Sequence, residues 1–238
     1  MDDLADMMMN RAPTARRPLL GLTVLLVEDS RYASEAIRLM CLRSGARIRR
    51  ADSLQNARRH LGIYRPSVVI VDVGLPDGSG LGLIENLAAA SPRIDVILGT
   101  SGDANAQSRV MDAGADGFIE KPIESLVGFQ AAILSNLPRD RQPPAPRQLH
   151  DETISPDLIA YQDDLNHIAK VLDGVNDDAA LAYVTQFLGG VARSAQDHDL
   201  SRAVTNITQL QSAGRNPDSG VAHLSQMVHA RIAAGGVI

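Results

Sequence analysis

Residues 68–81 have the sequence VVIVDVGLPDGSGL, in which an apolar run ends at an acid and a turn-forming segment follows. The run of valine and isoleucine at 68–71 predicts a buried strand near residues 67–72. The Pro, Asp and Gly residues after Asp72 are typical of a tight turn, and a helix is predicted near residues 79–90. A buried strand followed by a helix is the unit from which parallel α/β sheets are built.

The same unit recurs through residues 21–137. Strands are predicted near residues 23–27, 46–50, 67–72, 94–98 and 116–119, and helices near residues 30–44, 53–62, 79–90, 103–114 and 124–136. This alternation predicts an α/β domain with a doubly wound, five-stranded parallel sheet of the flavodoxin-like kind.

Chemically active side chains stand where these strands end. The pair Glu28-Asp29 follows one apolar run, Asp72 another, and Thr100 a third. Lys121, one of only two lysines in the chain, follows the last run. Because the carboxyl ends of parallel strands open on one crevice, we expect these side chains to lie together.

Such a set of side chains suits an aspartate that carries a phosphoryl group. An ionised aspartate can act as a covalent nucleophile, but its charge repels an anionic phosphoryl donor. A divalent cation must therefore bridge the two, and Mg²⁺ prefers carboxylate and carbonyl oxygens with several waters. Glu28, Asp29, Asp72 and the backbone carbonyl of Gly74 are the predicted Mg²⁺ ligands, and Lys121 and Thr100 are predicted to contact the phosphoryl oxygens.

Four motifs make residues 21–137 resemble the receiver domain of two-component response regulators: VLLVEDS, VVIVDVGLPDGSGL, VILGTSG and AGADGFIEKPI. The resemblance implies that Asp72 is the phosphoacceptor and that Glu28 and Asp29 are the metal acids. It also implies that Lys121 pairs with the phosphate, and that Thr100 and Phe118 form the switch.

The resemblance further implies the partners of this domain. A sensor histidine kinase or a histidine phosphotransfer protein would donate the phosphoryl group. The face formed by residues 103–136 would dock a partner or a second receiver as a homodimer. No enzymatic activity is expected beyond phosphoryl acceptance and autodephosphorylation.

Composition divides the chain into four parts. Residues 1–20 are predicted to be a flexible tail, residues 21–137 the receiver domain, residues 138–152 a Pro/Arg-rich linker and residues 153–238 a helical domain. Four amphipathic stretches with short connections predict a four-helix bundle in the last part.

The segment 183–216 is similar to part of a histidine phosphotransfer bundle. Thr208 stands where that family carries its phosphohistidine, and Gln211 stands where it carries a lysine. Relay chemistry is therefore not expected at this position. His60, His150, His167, His198, His223 and His229 show no metal-binding spacing, and core, surface or capping roles are expected for them.

Charge separates two interpretations of the whole chain. Residues 151–238 hold 11 acids and 5 basic residues, the reverse of a DNA-binding footprint. This favours a phosphorylation-controlled protein–protein adaptor with an unidentified output partner, and DNA is not an expected partner. The alternative is a transcriptional regulator with an atypical helical DNA-binding domain. With no apolar run of membrane length and no signal-peptide pattern, a cytoplasmic protein is expected.

Overall fold

The computed structural model describes residues 12–103, 105–143, 152–154, 156–174 and 177–235. These residues form two compact units. The first unit contains the described residues up to Asp29 and those from Ala36 to Ile154. The second contains Ser30–Glu35 and the described residues from Pro156 onward.

The first unit is built on a parallel sheet of five strands. They are β1 (Thr23–Val27), β2 (Arg47–Ala51), β3 (Val68–Asp72), β4 (Val96–Ser101) and β5 (Gly117–Glu120), in the spatial order β2-β1-β3-β4-β5. This is the flavodoxin-like order of a doubly wound sheet, and it confirms the predicted fold class.

Five helices connect the strands: α1 (Arg31–Ser44), α2 (Leu54–Ile63), α3 (Gly80–Ala89), α4 (Ala106–Asp112) and α5 (Leu126–Leu134). Ser53, Ser79 and Ser125 cap α2, α3 and α5 by accepting bonds from backbone N–H groups of the first turn. The helix predicted from residue 103 begins only at Ala106. Asp103 instead accepts a bond from the Asn105 N–H, which holds a local turn before α4.

Two hydrophobic cores cover the two faces of the sheet. Val24 and Leu26 point into one core, whereas Leu25 and Val27 point into the other. Strand β3 is likewise buried on both faces. This double burial explains why the central strands appear in the sequence as continuous apolar runs rather than alternating ones.

The ends of the first unit differ from the predicted boundaries. Leu19 was assigned to a flexible tail at residues 1–20, but it is fully buried in the core and its N–H donates to the Ser44 carbonyl. Ile154 was assigned to the helical domain at residues 153–238, but it is buried in the same core. Its N–H donates to the Glu124 carbonyl, so the described residues 152–154 pack beside the start of α5. Of the linker predicted at 138–152, residues 144–151 lie outside the described residues.

The second unit contains four helices, as predicted: α6 (Leu158–Leu172), α7 (Asp178–Ser194), α8 (His198–Ser212) and α9 (Asp218–Gly235). The helices pack in the pairs α6–α7, α7–α8, α8–α9 and α9–α6, which closes a bundle around one core. Leu158, the first residue of α6 after the Asp157 cap, is 71% exposed although it is apolar. None of the described helices has the length and apolar character needed to cross a membrane.

Two buried or half-buried aspartates organise this second unit. Asp197 caps α8, accepts the Tyr161 hydroxyl at 2.8 Å and is paired with the Arg231 guanidinium. It therefore ties α6, α8 and α9 together. Asp164 is 2% exposed and accepts bonds from the Ser30 hydroxyl at 2.7 Å and from the Arg31 and Tyr32 N–H groups at 2.7 and 3.0 Å. Neither aspartate was identified from the sequence.

Candidate functional site

Three carboxylates meet at the carboxyl edge of the sheet. Glu28 and Asp29 directly follow β1, and Asp72 is the last residue of the neighbouring strand β3. One oxygen of each lies within 4.8 Å of the others. Glu28 is fully buried, whereas Asp29 is only half-buried. The site therefore opens to solvent beside Asp29.

Lys121 lies between two of these acids. Its Nζ is 2.9 Å from Asp72 Oδ2 and 2.6 Å from Glu28 Oε2, and its side chain is 6% exposed. Burial by itself lowers the pKa of Lys121, but the carboxylates of Asp72 and Glu28 outweigh it and raise the pKa above the ordinary value. Burial also raises the pKa of Glu28, against the opposing effect of Lys121. The lysine thus compensates a concentration of negative charge that water barely reaches.

Thr100 lies opposite Asp72 in the register of β3 and β4. It is fully buried, and its hydroxyl donates to the Ile119 carbonyl at 2.7 Å. Phe118, the residue before Ile119, is partly buried. It packs against the hydrophobic core to which α4 contributes Ala106 and Val110. The Thr100 hydroxyl, which was predicted to contact phosphate, therefore bonds in this structure to β5. This is the strand that carries Phe118, the predicted aromatic switch residue.

The segment after Asp72 folds as a short hairpin. Gly74–Leu75 pairs with Gly78–Ser79, and the predicted Gly74 ligand lies two residues after Asp72 in the chain. Gly80 begins α3 so close to β3 that a Cβ there would lie 2.0 Å from the Asp72 carbonyl oxygen. A side chain at residue 80 would therefore displace the backbone that holds Asp72.

Two residues that support the site were missed in the sequence. Arg50, on β2, donates from Nε to the Glu28 carbonyl at 3.1 Å and from Nη2 to the Asp29 carbonyl at 2.7 Å. Asp77, in the hairpin, accepts the Leu54 and Gln55 N–H groups at 2.8 and 2.9 Å at the start of α2. Arg50 fixes the backbone of the acid pair, and Asp77 fixes the hairpin. No sequence motif marks either contact, because each joins elements that are distant along the chain.

The arrangement fits a divalent cation that prefers oxygen ligands. Glu28, Asp29 and Asp72 offer only carboxylate oxygens, and the half-buried Asp29 leaves room for coordinated water. Mg²⁺ is bound by a few carboxylates and keeps several waters, whereas sites for softer metals use nitrogen or sulfur ligands. The chain's one cysteine, Cys41, is not part of this cluster: it is buried in a hydrophobic core, and burial raises the pKa of its thiol to about 12.

The second unit presents no comparable cluster among its described residues. Thr208 is exposed on α8, and its hydroxyl donates to the Val204 carbonyl at 3.2 Å. His167 is exposed on α6 beside Tyr183 and Phe187. The predicted similarity to a histidine phosphotransfer bundle stays a prediction, and His150 lies outside the described residues.

The first unit is similar to known proteins. Residues 24–132 match the family model of the response regulator receiver domain. The chain is 30% identical over 141 residues to the KDP operon transcriptional regulatory protein KdpE of Escherichia coli, covering 59% of this chain and 58% of that protein. It is 29% identical over 114 residues to the virulence transcriptional regulatory protein PhoP of Salmonella typhimurium, covering 47% and 51%. The chain thus spans little more than half the length of these curated relatives.

Solved structures give a similar match. A two-component response regulator from Clostridium difficile aligns with a TM-score of 0.46 and 15% identity, covering 51% of this chain and 99% of that one. The receiver domain of the sensor histidine kinase PA1611 from Pseudomonas aeruginosa, solved with a magnesium ion, aligns with a TM-score of 0.44 and 20% identity, covering 48% and 96%.

Proposed function

We propose, from the premise that residues 24–132 form a response regulator receiver domain, that this chain is a signalling protein that accepts a phosphoryl group on Asp72. The observation that carries the proposal is the meeting of Glu28, Asp29, Asp72 and Lys121 at one edge of the sheet. The donor is a phosphohistidine of a sensor histidine kinase or of a histidine phosphotransfer protein, and the proposed location is the cytoplasm.

In the proposed step, a carboxylate oxygen of Asp72 attacks phosphorus. The new P–O bond forms as the bond from phosphorus to the donor imidazole nitrogen breaks, and the imidazole leaves with that electron pair. Glu28, Asp29, Asp72 and the Gly74 carbonyl would hold Mg²⁺, which when bound supplies charge neutralisation between the carboxylate and the phosphoryl oxygens. Lys121 already lies 2.9 Å from Asp72 and would pair with a phosphoryl oxygen.

Phosphate on Asp72 would then compete for the Thr100 hydroxyl. The new group adds roughly −2 charge and three strong acceptor oxygens, against which a neutral carbonyl is the weaker acceptor. Thr100 would leave the Ile119 carbonyl, and Phe118 would repack into the space that is vacated. The face formed by α4, β5 and α5 would change shape and alter its docking to a partner.

The experiment is phosphorylation of the full chain with acetyl phosphate, with and without Mg²⁺, followed by intact-mass analysis. We expect one added phosphoryl group in the wild type with Mg²⁺ and none in Asp72→Asn. Asp112→Asn is the matched control, because Asp112 is an exposed acid on α4 remote from the three carboxylates. Equal phosphorylation of Asp72→Asn and wild type would refute the assignment.

For the output, we propose protein–protein docking through the 103–136 face and the helical unit, with no catalysis beyond phosphoryl acceptance and its hydrolysis. The second candidate is a transcriptional regulator with a DNA-binding helical domain, which is favoured by the names of the curated relatives. Crosslinking of the phosphorylated chain in cells, followed by mass spectrometry and by sequencing of any attached DNA, separates the two.

A further inference from the structure

Asp29 is the least buried of the three carboxylates at the candidate cation site. It is half-buried, whereas Glu28 and Asp72 are buried, and one carboxylate oxygen of each lies within 4.8 Å of the others. A side chain that packing holds only in part depends on the backbone around it for its orientation. The groups that hold the backbone on either side of Asp29 therefore bear on cation binding.

Before and at Asp29, the backbone is held by the end of strand β2. The Glu28 N–H donates to the Ala51 carbonyl at 2.8 Å. The Arg50 side chain donates to the Glu28 carbonyl at 3.1 Å and to the Asp29 carbonyl at 2.7 Å. These bonds lie within the first unit, and they fix the peptide groups of the acid pair up to the Asp29 carbonyl.

After Asp29, the next three residues are held by a single acid of the second unit, Asp164. Its Oδ2 accepts the Ser30 hydroxyl at 2.7 Å and the Tyr32 N–H at 3.0 Å. Its Oδ1 accepts the Arg31 N–H at 2.7 Å. Both carboxylate oxygens are thus used, and because Asp164 is only 2% exposed, water has little access to replace these bonds.

The position of Asp164 is itself fixed by the core of the bundle. It lies on α6 between Tyr161 and Leu165, which are both buried in that core. Tyr32 belongs to the same core and packs edge-on against Tyr161, with ring centroids 6.0 Å apart. The bonds from residues 30–32 to Asp164 are therefore part of the folded bundle and depend on its packing.

We propose that Asp164 is a positioning residue for the cation site, through which the folded bundle raises the affinity of the first unit for Mg²⁺. The proposal rests on the proposed function, because it takes Glu28, Asp29 and Asp72 as the carboxylate ligands. Asp164 does not reach the cation. It holds the residues that follow Asp29 in the chain, so that less conformational freedom is lost from Asp29 when the cation binds.

The start of α1 has another cap besides Asp164. The Ser30 oxygen accepts the Ala33 N–H at 3.0 Å, as expected of a residue that caps a helix. Asp164 therefore adds a second, distant acceptor to a helix start that already has a local one. Holding the chain beside Asp29 gives this second acceptor a role that capping alone does not require.

The same double arrangement occurs at the start of α2. Ser53 caps that helix locally, and Asp77 accepts the Leu54 and Gln55 N–H groups. Asp77 lies in the hairpin that follows Asp72, five residues further along the chain. In both cases, a distant acid joins a helix start to backbone that is continuous with a site carboxylate.

The test measures Mg²⁺ binding to the full chain by titration calorimetry, and the initial rate of phosphorylation by acetyl phosphate over a series of Mg²⁺ concentrations. Asp164→Ala should weaken Mg²⁺ binding about tenfold, the lower end of the usual cost of losing an outer-shell partner. The Mg²⁺ concentration for half-maximal rate should rise by the same factor, while the rate at saturating Mg²⁺ stays close to that of the wild type. A merely structural role would lower the maximal rate, through loss of active protein, without moving that midpoint.

Asp163→Ala is the matched control, because the Asp163 side chain is 43% exposed and pairs with the exposed Arg31 side chain. It should bind Mg²⁺ like the wild type. Asp164→Asn is nearly isosteric and keeps one carbonyl oxygen, so it should weaken Mg²⁺ binding in the same direction but less. This second variant tests the proposal even where Asp164→Ala does not fold.

Because coupling between two sites is reciprocal, Mg²⁺ should also slow hydrogen exchange at residues 31–34, and more in the wild type than in Asp164→Asn. Wild-type Mg²⁺ affinity in the Asp164 variants that fold would overturn this proposal and leave phosphoryl acceptance intact. If the wild type binds Mg²⁺ but is not phosphorylated, the proposed function fails, and the calorimetric comparison still decides this proposal. Failure of the wild type to bind Mg²⁺ would overturn both.

Discussion

At the scale of single residues, the site depends on which acceptor the Thr100 hydroxyl takes. The hydroxyl is fully buried and donates to the Ile119 carbonyl, so its present bond contributes to the stability of the first unit. The same hydroxyl is the group that the proposed phosphate would recruit. In this proposal, the Thr100 side chain stabilises the unphosphorylated state and also transmits the signal in the phosphorylated state.

Thr100→Val should therefore separate acceptance from switching. Valine has nearly the same shape but removes the bond from the hydroxyl to the Ile119 carbonyl, which should lower the free energy of unfolding by about 1 kcal/mol. Asp72 should still accept phosphate, because neither the acids nor Lys121 is altered. Urea unfolding measures the first effect, and intact mass after treatment with acetyl phosphate measures the second. Thr100→Ser keeps the hydroxyl and should therefore retain the proposed conformational switch. Loss of that switch in Thr100→Ser would contradict this account.

The sequence predicted that the acids, the hydroxyl and the lysine would lie at one edge of the sheet, because each stands at a strand end, where local pattern determines position. It missed Arg50 and Asp77 because their partners are backbone groups of other elements. Asp164 and Asp197 were missed because each accepts bonds from residues that are distant along the chain. A single aspartate carries no local sign of the helix end that it will cap, whereas a buried strand is marked by several consecutive residues.

At the scale of elements, the first turn of α1 is held by an acid from α6. Ser30, Arg31 and Tyr32 all donate to Asp164, within the second unit, and Tyr32 also packs edge-on against Tyr161 with ring centroids 6.0 Å apart. The exposed first-turn N–H groups of a helix need such acceptors, and a negative charge at a helix N-terminus adds to the effect. This cap directly follows the acid pair Glu28-Asp29 in the chain.

Asp164→Ala should lower the free energy of unfolding of the second unit by about 2–3 kcal/mol, because three donors lose a buried acceptor. Hydrogen exchange measured by mass spectrometry should become faster at residues 31–34. Asp163→Ala is the matched control: the Asp163 side chain is 43% exposed and pairs with the exposed Arg31, so its loss should cost at most about 1 kcal/mol. If the two variants behave alike, the cap does not hold this turn.

The Asp197 carboxyl should make the stability of the helical bundle depend on pH. Its bonds from Arg231, the Leu200 N–H and Tyr161 lower the pKa of its carboxyl to about 2. The unfolded state therefore takes up the proton first as the pH falls. The stability contributed by the charged carboxylate should be complete above about pH 4 and should be lost as the pH falls through about 2.

Hydrogen exchange of α8 at pH 5, 4, 3 and 2 measures this loss, which should not exceed about 2 kcal/mol because the side chain is partly solvent-accessible. Asp197→Asn should show a weaker bundle at pH 5 and a smaller change between pH 4 and 2. An unchanged pH profile in that variant would mean that other carboxyl groups cause the loss.

At the scale of the whole molecule, the two units differ in how much of their structure and function could be predicted from the sequence. The strand-and-helix pattern of the first unit predicted its fold, which the structure confirms, and also predicted a phosphoryl chemistry that stays a prediction. The helix pattern of the second unit identified four helices but no output, because packing an amphipathic bundle requires only an apolar stripe on each helix. The proposed output therefore has to be tested through the proposed phosphorylation of the first unit.

Phosphorylation should change how the molecule associates. Beryllofluoride with Mg²⁺, which mimics a phosphoryl group on a carboxylate, should draw Thr100 from the Ile119 carbonyl and let Phe118 repack. The face formed by α4, β5 and α5 would then dock a second copy, and the sedimentation coefficient should rise with protein concentration. Phe118→Ala should blunt this rise without affecting phosphorylation of Asp72, since Phe118 only borders the site. Leu42→Ala, at a half-exposed position on α1, is the control and should behave like the wild type. If beryllofluoride binds but neither sedimentation nor hydrogen exchange of that face changes, then Asp72 does not control this face and the docking of partners is constitutive.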